Sequence, residues 1–279
     1  MMSLALAAAL AGTLVACTPP HEKPADAAQE TGETTAARLS ATRPGATLTV
    51  EAPPSKKNIA AELDGEVKFV ANAKARELSY YRMDGMRMGT DGERNAMPAL
   101  SLIKLYLAKY VLDHGTLEDQ YEALDMIADS SDVSASDLFK RYPESIDTVA
   151  EDYELESTRA GSEWGKSVTS VYDVVNFIKA LREESPTHPI LVAMAQATTT
   201  AEDGYRQDYG TAKLSNVLGS KWGWSDDKTL HSSVSFGKNF IVAASVSGSA
   251  EDLTKFVKKE VTVKALNEAT TKFIEEQKS

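Results

Sequence analysis

The amino-acid sequence predicts an α+β fold, with an antiparallel sheet formed by the N- and C-terminal parts of a globular region and flanked by helices. Three observations predict it. Strand patterns stand at both ends of the region that begins near Asn58, helical periodicity fills its middle, and the βαβ alternation of doubly wound folds is lacking. Residues 66–72 and 77–82 read as two strands joined by a short polar turn. From Pro98 to about Asp113 the apolar residues Leu100, Ile103, Leu107 and Val111 recur at three and four positions, which predicts a helix. Pro98 suits its first turn and His114-Gly115 its exit. Further helices fit residues 117–128, 134–140 and 171–183. Late in the chain, residues 229–236 and 240–247 flank Gly237-Lys238-Asn239 as a β-hairpin. A long amphipathic helix from about Ala250 closes the sequence.

The chain has 279 residues, 42% hydrophobic and 25% charged, which is the composition of a folded protein with ample material for a core. Its formal net charge of −11 argues against electrostatic binding to nucleic acid. The one cysteine, Cys17, ends Leu14-Val15-Ala16-Cys17, after an apolar run from Leu4 to Val15 that is too short to span a membrane. This resembles a bacterial lipobox, where cleavage leaves an N-terminal Cys that receives lipid. Residues 1–16 are therefore expected to be a signal peptide, although they contain no Lys or Arg. Residues 17–57, rich in Ala, Thr, Glu and Pro, read as a lipidated flexible tether. Residues 58–279 form the domain. The expected location is the extracytoplasmic face of a cell membrane, held by lipid on Cys17.

Ser101-Leu-Ile-Lys104 stands near the start of the first strong helix. At i and i+3 the two side chains share a face. A serine needs a base to become a nucleophile, and a lysine with lowered pKa can serve. The first helical turn also offers free N–H groups to a developing oxyanion. The spacing alone is weak, since Ser225…Lys228 and Ser235…Lys238 match it in loop and hairpin contexts.

Three further features, in order, carry a resemblance. Ser131-Asp132-Val133 follows a helix and opens another, Lys221-Trp222-Gly223-Trp224 precedes the hairpin, and residues 167–173 lead into a helix between them. With Ser101 and Lys104, this arrangement resembles the penicillin-recognising serine enzymes: β-lactamases, D-Ala-D-Ala peptidases and penicillin-binding proteins. The resemblance implies the serine β-lactamase-like fold, with a helical lobe reduced because only 30 positions separate Ser101 from Ser131. It implies Ser101 as nucleophile, Lys104 as base, Ser131 as proton relay and Lys221 as an electrostatic anchor. The substrate would meet Val133, Trp222, Gly223 and Trp224, and the oxyanion hole would be the backbone N–H groups of Ser101 and Trp224.

The pattern departs from the family in three places. Val133 stands where the family has an Asn that holds a substrate carbonyl and touches the lysine. Trp222 replaces a hydroxyl-bearing residue. Glu154, Glu156 and Glu163 lie where class A β-lactamases place a deacylating Glu, but none sits in that motif. Loss of such a base costs about a hundredfold to ten-thousandfold. The expected function is serine acyl transfer on β-lactams or peptidoglycan-type peptides with weak turnover. The alternative is a catalytically inactive domain of the same fold that binds cell-wall fragments or a protein partner. The histidines His21, His114, His188 and His231 are scattered, and neither a metal nor a cofactor is expected.

Overall fold

A computed structural model describes residues 75–279. The expected signal peptide, Cys17, the expected tether and the strand expected at residues 66–72 lie outside the described residues. The chain enters the sheet with β1 (Arg76–Arg82) and β2 (Arg87–Gly89), and returns to it only after the helices, with β5 (Val217–Trp224), β6 (Leu230–Gly237) and β7 (Phe240–Ser247). Strand order is β2-β1-β7-β6-β5, and every pairing is antiparallel. The two ends of the region thus complete one sheet, and β5 is left as an edge strand beside the helices.

Alternation along the strands separates two apolar layers. On β7, Ile241 and Ala243 join the larger cluster, while Val242, Ala244 and Val246 join the smaller one on the other face. The larger layer is covered by α1 (Lys104–His114), α2 (Leu117–Asp129), α3 (Asp132–Arg141), α4 (Ser145–Asp152), α5 (Val171–Glu184) and α6 (Pro189–Ala195). Helix α1 runs through its centre. Leu105, Tyr106, Leu107, Ala108 and Val111 have no exposed surface, so the helix is buried nearly all round. The smaller layer is covered by α7 (Ala250–Glu260) and α8 (Val263–Glu276).

Several boundaries differ from the sequence expectation. Pro98 does not open a helix; with Met97 it forms the short strand β3, paired with β4 (Val168–Thr169). A 3-10 turn, Leu100–Ile103, then leads into α1. The closing helix is two helices, because Thr262 caps α8 afresh through its hydroxyl and breaks the run. Helices α4 and α6 are additional. Each has eight residues or fewer, below the length at which periodicity separates helix from loop.

Leu107→Ala, at the centre of this layer, is expected to lower unfolding stability by about 2–5 kcal/mol. A urea titration followed by circular dichroism measures it.

Candidate functional site

The 3-10 turn that carries Ser101 is strained and braced. Leu100, its first residue, has φ +52°, a left-handed conformation that costs a leucine about 1–3 kcal/mol. The brace is β5. A Cβ on Gly223 would lie 2.8 Å from Leu100 Cβ and 3.0 Å from Ser101 N, so only glycine lets the strand approach the turn this closely. Ser101 is buried but retains some accessible surface.

Behind Ser101, Lys104 is the first residue of α1 and is fully buried. Its Nζ donates to Ser130 O (2.7 Å) and Asp132 Oδ1 (2.5 Å), and stands 4.6 Å from the centre of the Trp164 ring. Burial lowers its pKa, and the Asp132 carboxylate pulls in the opposite direction. Lys221 is also fully buried and donates to Ser130 Oγ at 2.6 Å. Burial holds its pKa well below the usual lysine value, and the nearby Lys104 charge adds to the effect. Ser130 therefore joins the two lysines, one through its carbonyl and one through its hydroxyl.

This geometry corrects the expected register by one residue. Ser131 is not at the lysines: it is the N-cap of α3, and its Oγ accepts from Ser134 N at 3.1 Å. Ser130, at φ +62°, occupies the place expected of Ser131. Val133 lies 65% exposed on α3, and the residue that touches Lys104 is Asp132. A helix that starts at Asp132 takes Ser131 as its cap and leaves Ser130 to the lysines, but the sequence pattern puts that start two residues later, at Ser134.

On β5 the side chains alternate. Lys221 and Gly223 face the helices, whereas Trp222 and Trp224 join the smaller layer behind the sheet. Trp222 is buried there, and its indole donates to Tyr209 O at 3.0 Å. Trp222 was expected among the residues that meet the substrate, but strand alternation turns its ring to the other face of the sheet. Trp224 sits at the rim, against Tyr205, and its indole donates to Asp203 (3.1 Å). Ser225 N donates to Leu230 O, so residues 223 and 225 face β6 and the Trp224 N–H points to the unpaired edge of β5.

Glu154, Glu156 and Glu163 are all exposed, and Glu163 pairs with Lys166 at 3.5 Å. Lys104 hydrogen-bonds none of the three. Trp164 was not expected at the site. It is anchored by a bond from its Nε1 to Ser136 Oγ (2.9 Å) and covers Lys104 from the loop that precedes β4. Among the described residues no group of three or more His, Cys, Asp or Glu is placed to hold a metal.

No family model matches this chain, and no curated protein matches its sequence. Solved structures do match. A β-lactamase from Streptomyces albus G aligns with TM-score 0.54 at 11% identity, over 68% of this chain and 95% of its own. A β-lactamase from Burkholderia vietnamiensis aligns with TM-score 0.52 at 10% identity, over 66% of this chain and 90% of its own. Penicillin-binding protein D2 from Listeria monocytogenes, bound to cefotaxime, aligns with TM-score 0.50 at 17% identity, over 66% of this chain and 94% of its own. The fold is the serine β-lactamase-like fold. At these identities the likeness is one of fold and leaves the chemistry to the residues themselves.

The buried lysines give a pH prediction. For a lysine whose folded pKa is depressed, the unfolded chain binds more protons between that pKa and about 10.5. Stability therefore rises with pH through that window. Lys221→Met is expected to flatten the rise, with the Lys104 share remaining. At neutral pH it should leave the domain as stable or up to about 1–4 kcal/mol more so. Urea unfolding midpoints from pH 6 to pH 10 check both.

Proposed function

We propose that the domain is a serine acyl-transfer hydrolase acting on β-lactams or peptidoglycan-type peptides with weak turnover. One observation carries this reading: two lysines, both fully buried, are joined through Ser130, and one of them stands three residues after Ser101, the residue that follows the strained Leu100. A structural role accounts poorly for them. Each buried ion costs several kcal/mol, and apolar residues of similar volume would be neutral or stabilising at these positions.

In this reading the reaction runs as follows from the residues at hand. Neutral Lys104 Nζ takes the proton of Ser101 Oγ, and the oxygen attacks the amide or lactam carbonyl carbon. The developing oxyanion accepts from the backbone N–H groups of Ser101 and Trp224. The C–N bond then breaks, and the leaving nitrogen receives a proton from Ser130 Oγ, made good from Lys104. Lys221 holds the Ser130 hydroxyl in place. No carboxylate from residues 154–163 sits on Lys104 to activate water, and the carboxylate that does, Asp132, favours its charged form. Both features support an acyl-enzyme that persists.

Incubation with a penicillin is expected to add the mass of one drug molecule to the wild-type chain, read by intact-mass spectrometry, and nothing to Ser101→Ala. If millimolar drug leaves the wild type unmodified, the binding role becomes the better reading.

We further propose that the protein is lipid-anchored at Cys17 on the extracytoplasmic face of the membrane, a reading supported by the apolar run and lipobox-like residues 14–17. Labelled palmitate should enter the wild type and not Cys17→Ala, and the variant should leave the membrane fraction.

A further inference from the structure

We infer that the acyl donor taken by Ser101 carries an ammonium group, recognised by Asp132. The inference rests on the acyl-transfer reading and names the substrate class of that same site. Asp132 stands in the first turn of α3, one residue beyond the Ser131 cap. Its Oδ1 is committed to Lys104, while the side chain as a whole is 62% exposed. The second carboxylate oxygen has no hydrogen-bond partner among the described residues. It is an open acceptor on the residue that bonds Lys104, which stands three positions after Ser101.

An amide at this place would offer a donor to an acyl carbonyl. A carboxylate only accepts, so it repels a carbonyl oxygen and calls for a donor. A charged donor makes the stronger match, since Coulomb attraction between ammonium and carboxylate adds to the hydrogen bond. The surroundings favour a cation as well. Asp129 and Asp203 add negative field at Lys104. The cations within reach are engaged: Lys104 and Lys221 are buried in their own hydrogen bonds. Lys228 lies over the Tyr205 ring and 3.9 Å from Asp203. An ammonium on the acyl chain would therefore meet three carboxylates, Asp132, Asp129 and Asp203, with the lysines held in contacts of their own.

Recognition and chemistry are coupled at this residue. The same carboxylate that receives the ammonium favours the protonated form of Lys104. Its neutralisation by the substrate releases the lysine to act as base on Ser101. The bonds made and broken are those of the acylation above, and the ammonium takes no part in them.

The test compares two penicillins that differ by one amino group on the acyl side chain, ampicillin and benzylpenicillin, with intact-mass acylation rates of the full chain. Wild type is expected to react with ampicillin about tenfold faster or more. Asp132→Asn should bring the ratio to within about twofold, and the ratio is blind to any change in Lys104 that affects both drugs alike. N-acetylated ampicillin, tested on wild type, needs no variant: it should react at about the rate of benzylpenicillin. Equal wild-type rates for the two penicillins, or a preference that survives in Asp132→Asn or in the N-acetyl derivative, overturn the inference while leaving acyl transfer standing. Failure of both drugs to modify the wild type overturns the acyl-transfer reading itself.

Discussion

The hydrogen bond from Lys221 Nζ to Ser130 Oγ joins an edge strand of the sheet to the junction of α2 and α3. It crosses the whole interface between sheet and helical lobe, and 91 positions of sequence. A charge-capable group without solvent must have a partner, so burial of this lysine fixes where the junction sits. The junction in turn carries Ser130 O and Asp132 to Lys104. Everything that surrounds Ser101 is placed by this one chain of contacts, with Gly223 bringing the turn and the strand together at the other end.

The strand β5 serves two layers at once. Its helix-facing positions, Lys221 and Gly223, build the site, and its other face supplies Trp222 to the apolar layer under α7. A one-residue slip would exchange the two sets, so the register of β5 on β6 is also the register of the site. This accounts for a bulky indole where a small hydroxyl was expected. Trp222 is packing material for the sheet's far side, tied to Tyr209 O, and sets no limit on the cleft.

Three features meet at Lys104: a carboxylate bonds it, a tryptophan ring stands over it, and the glutamates of the loop before β4 make no bond to it. The carboxylate favours the charged form of Lys104 against its burial.

The fold class was legible in the sequence because periodicity of two and of about 3.6 residues follows directly from burial on one face. Strand β1, the hairpin β6–β7 and helices α1, α2, α3 and α5 were read that way, each within a few residues. Lys104 and Lys221, which the structure joins through Ser130, were singled out too, Lys104 by its helical spacing from Ser101 and Lys221 by the resemblance that Lys221-Trp222-Gly223 carries. Ser130, Asp132 and Trp164 were not. Whether Ser130 or Ser131 faces the lysines depends on which residue caps α3, and hence on a helix boundary that local pattern leaves uncertain by about two residues. Whether Trp222 lines a cleft or a core depends on which side of the sheet the C-terminal helices pack. Local sequence determines spacing along the chain, and with it which side chains share a face. Only tertiary packing decides what each face meets, because the partner that satisfies a buried charge comes from a segment dozens of residues away.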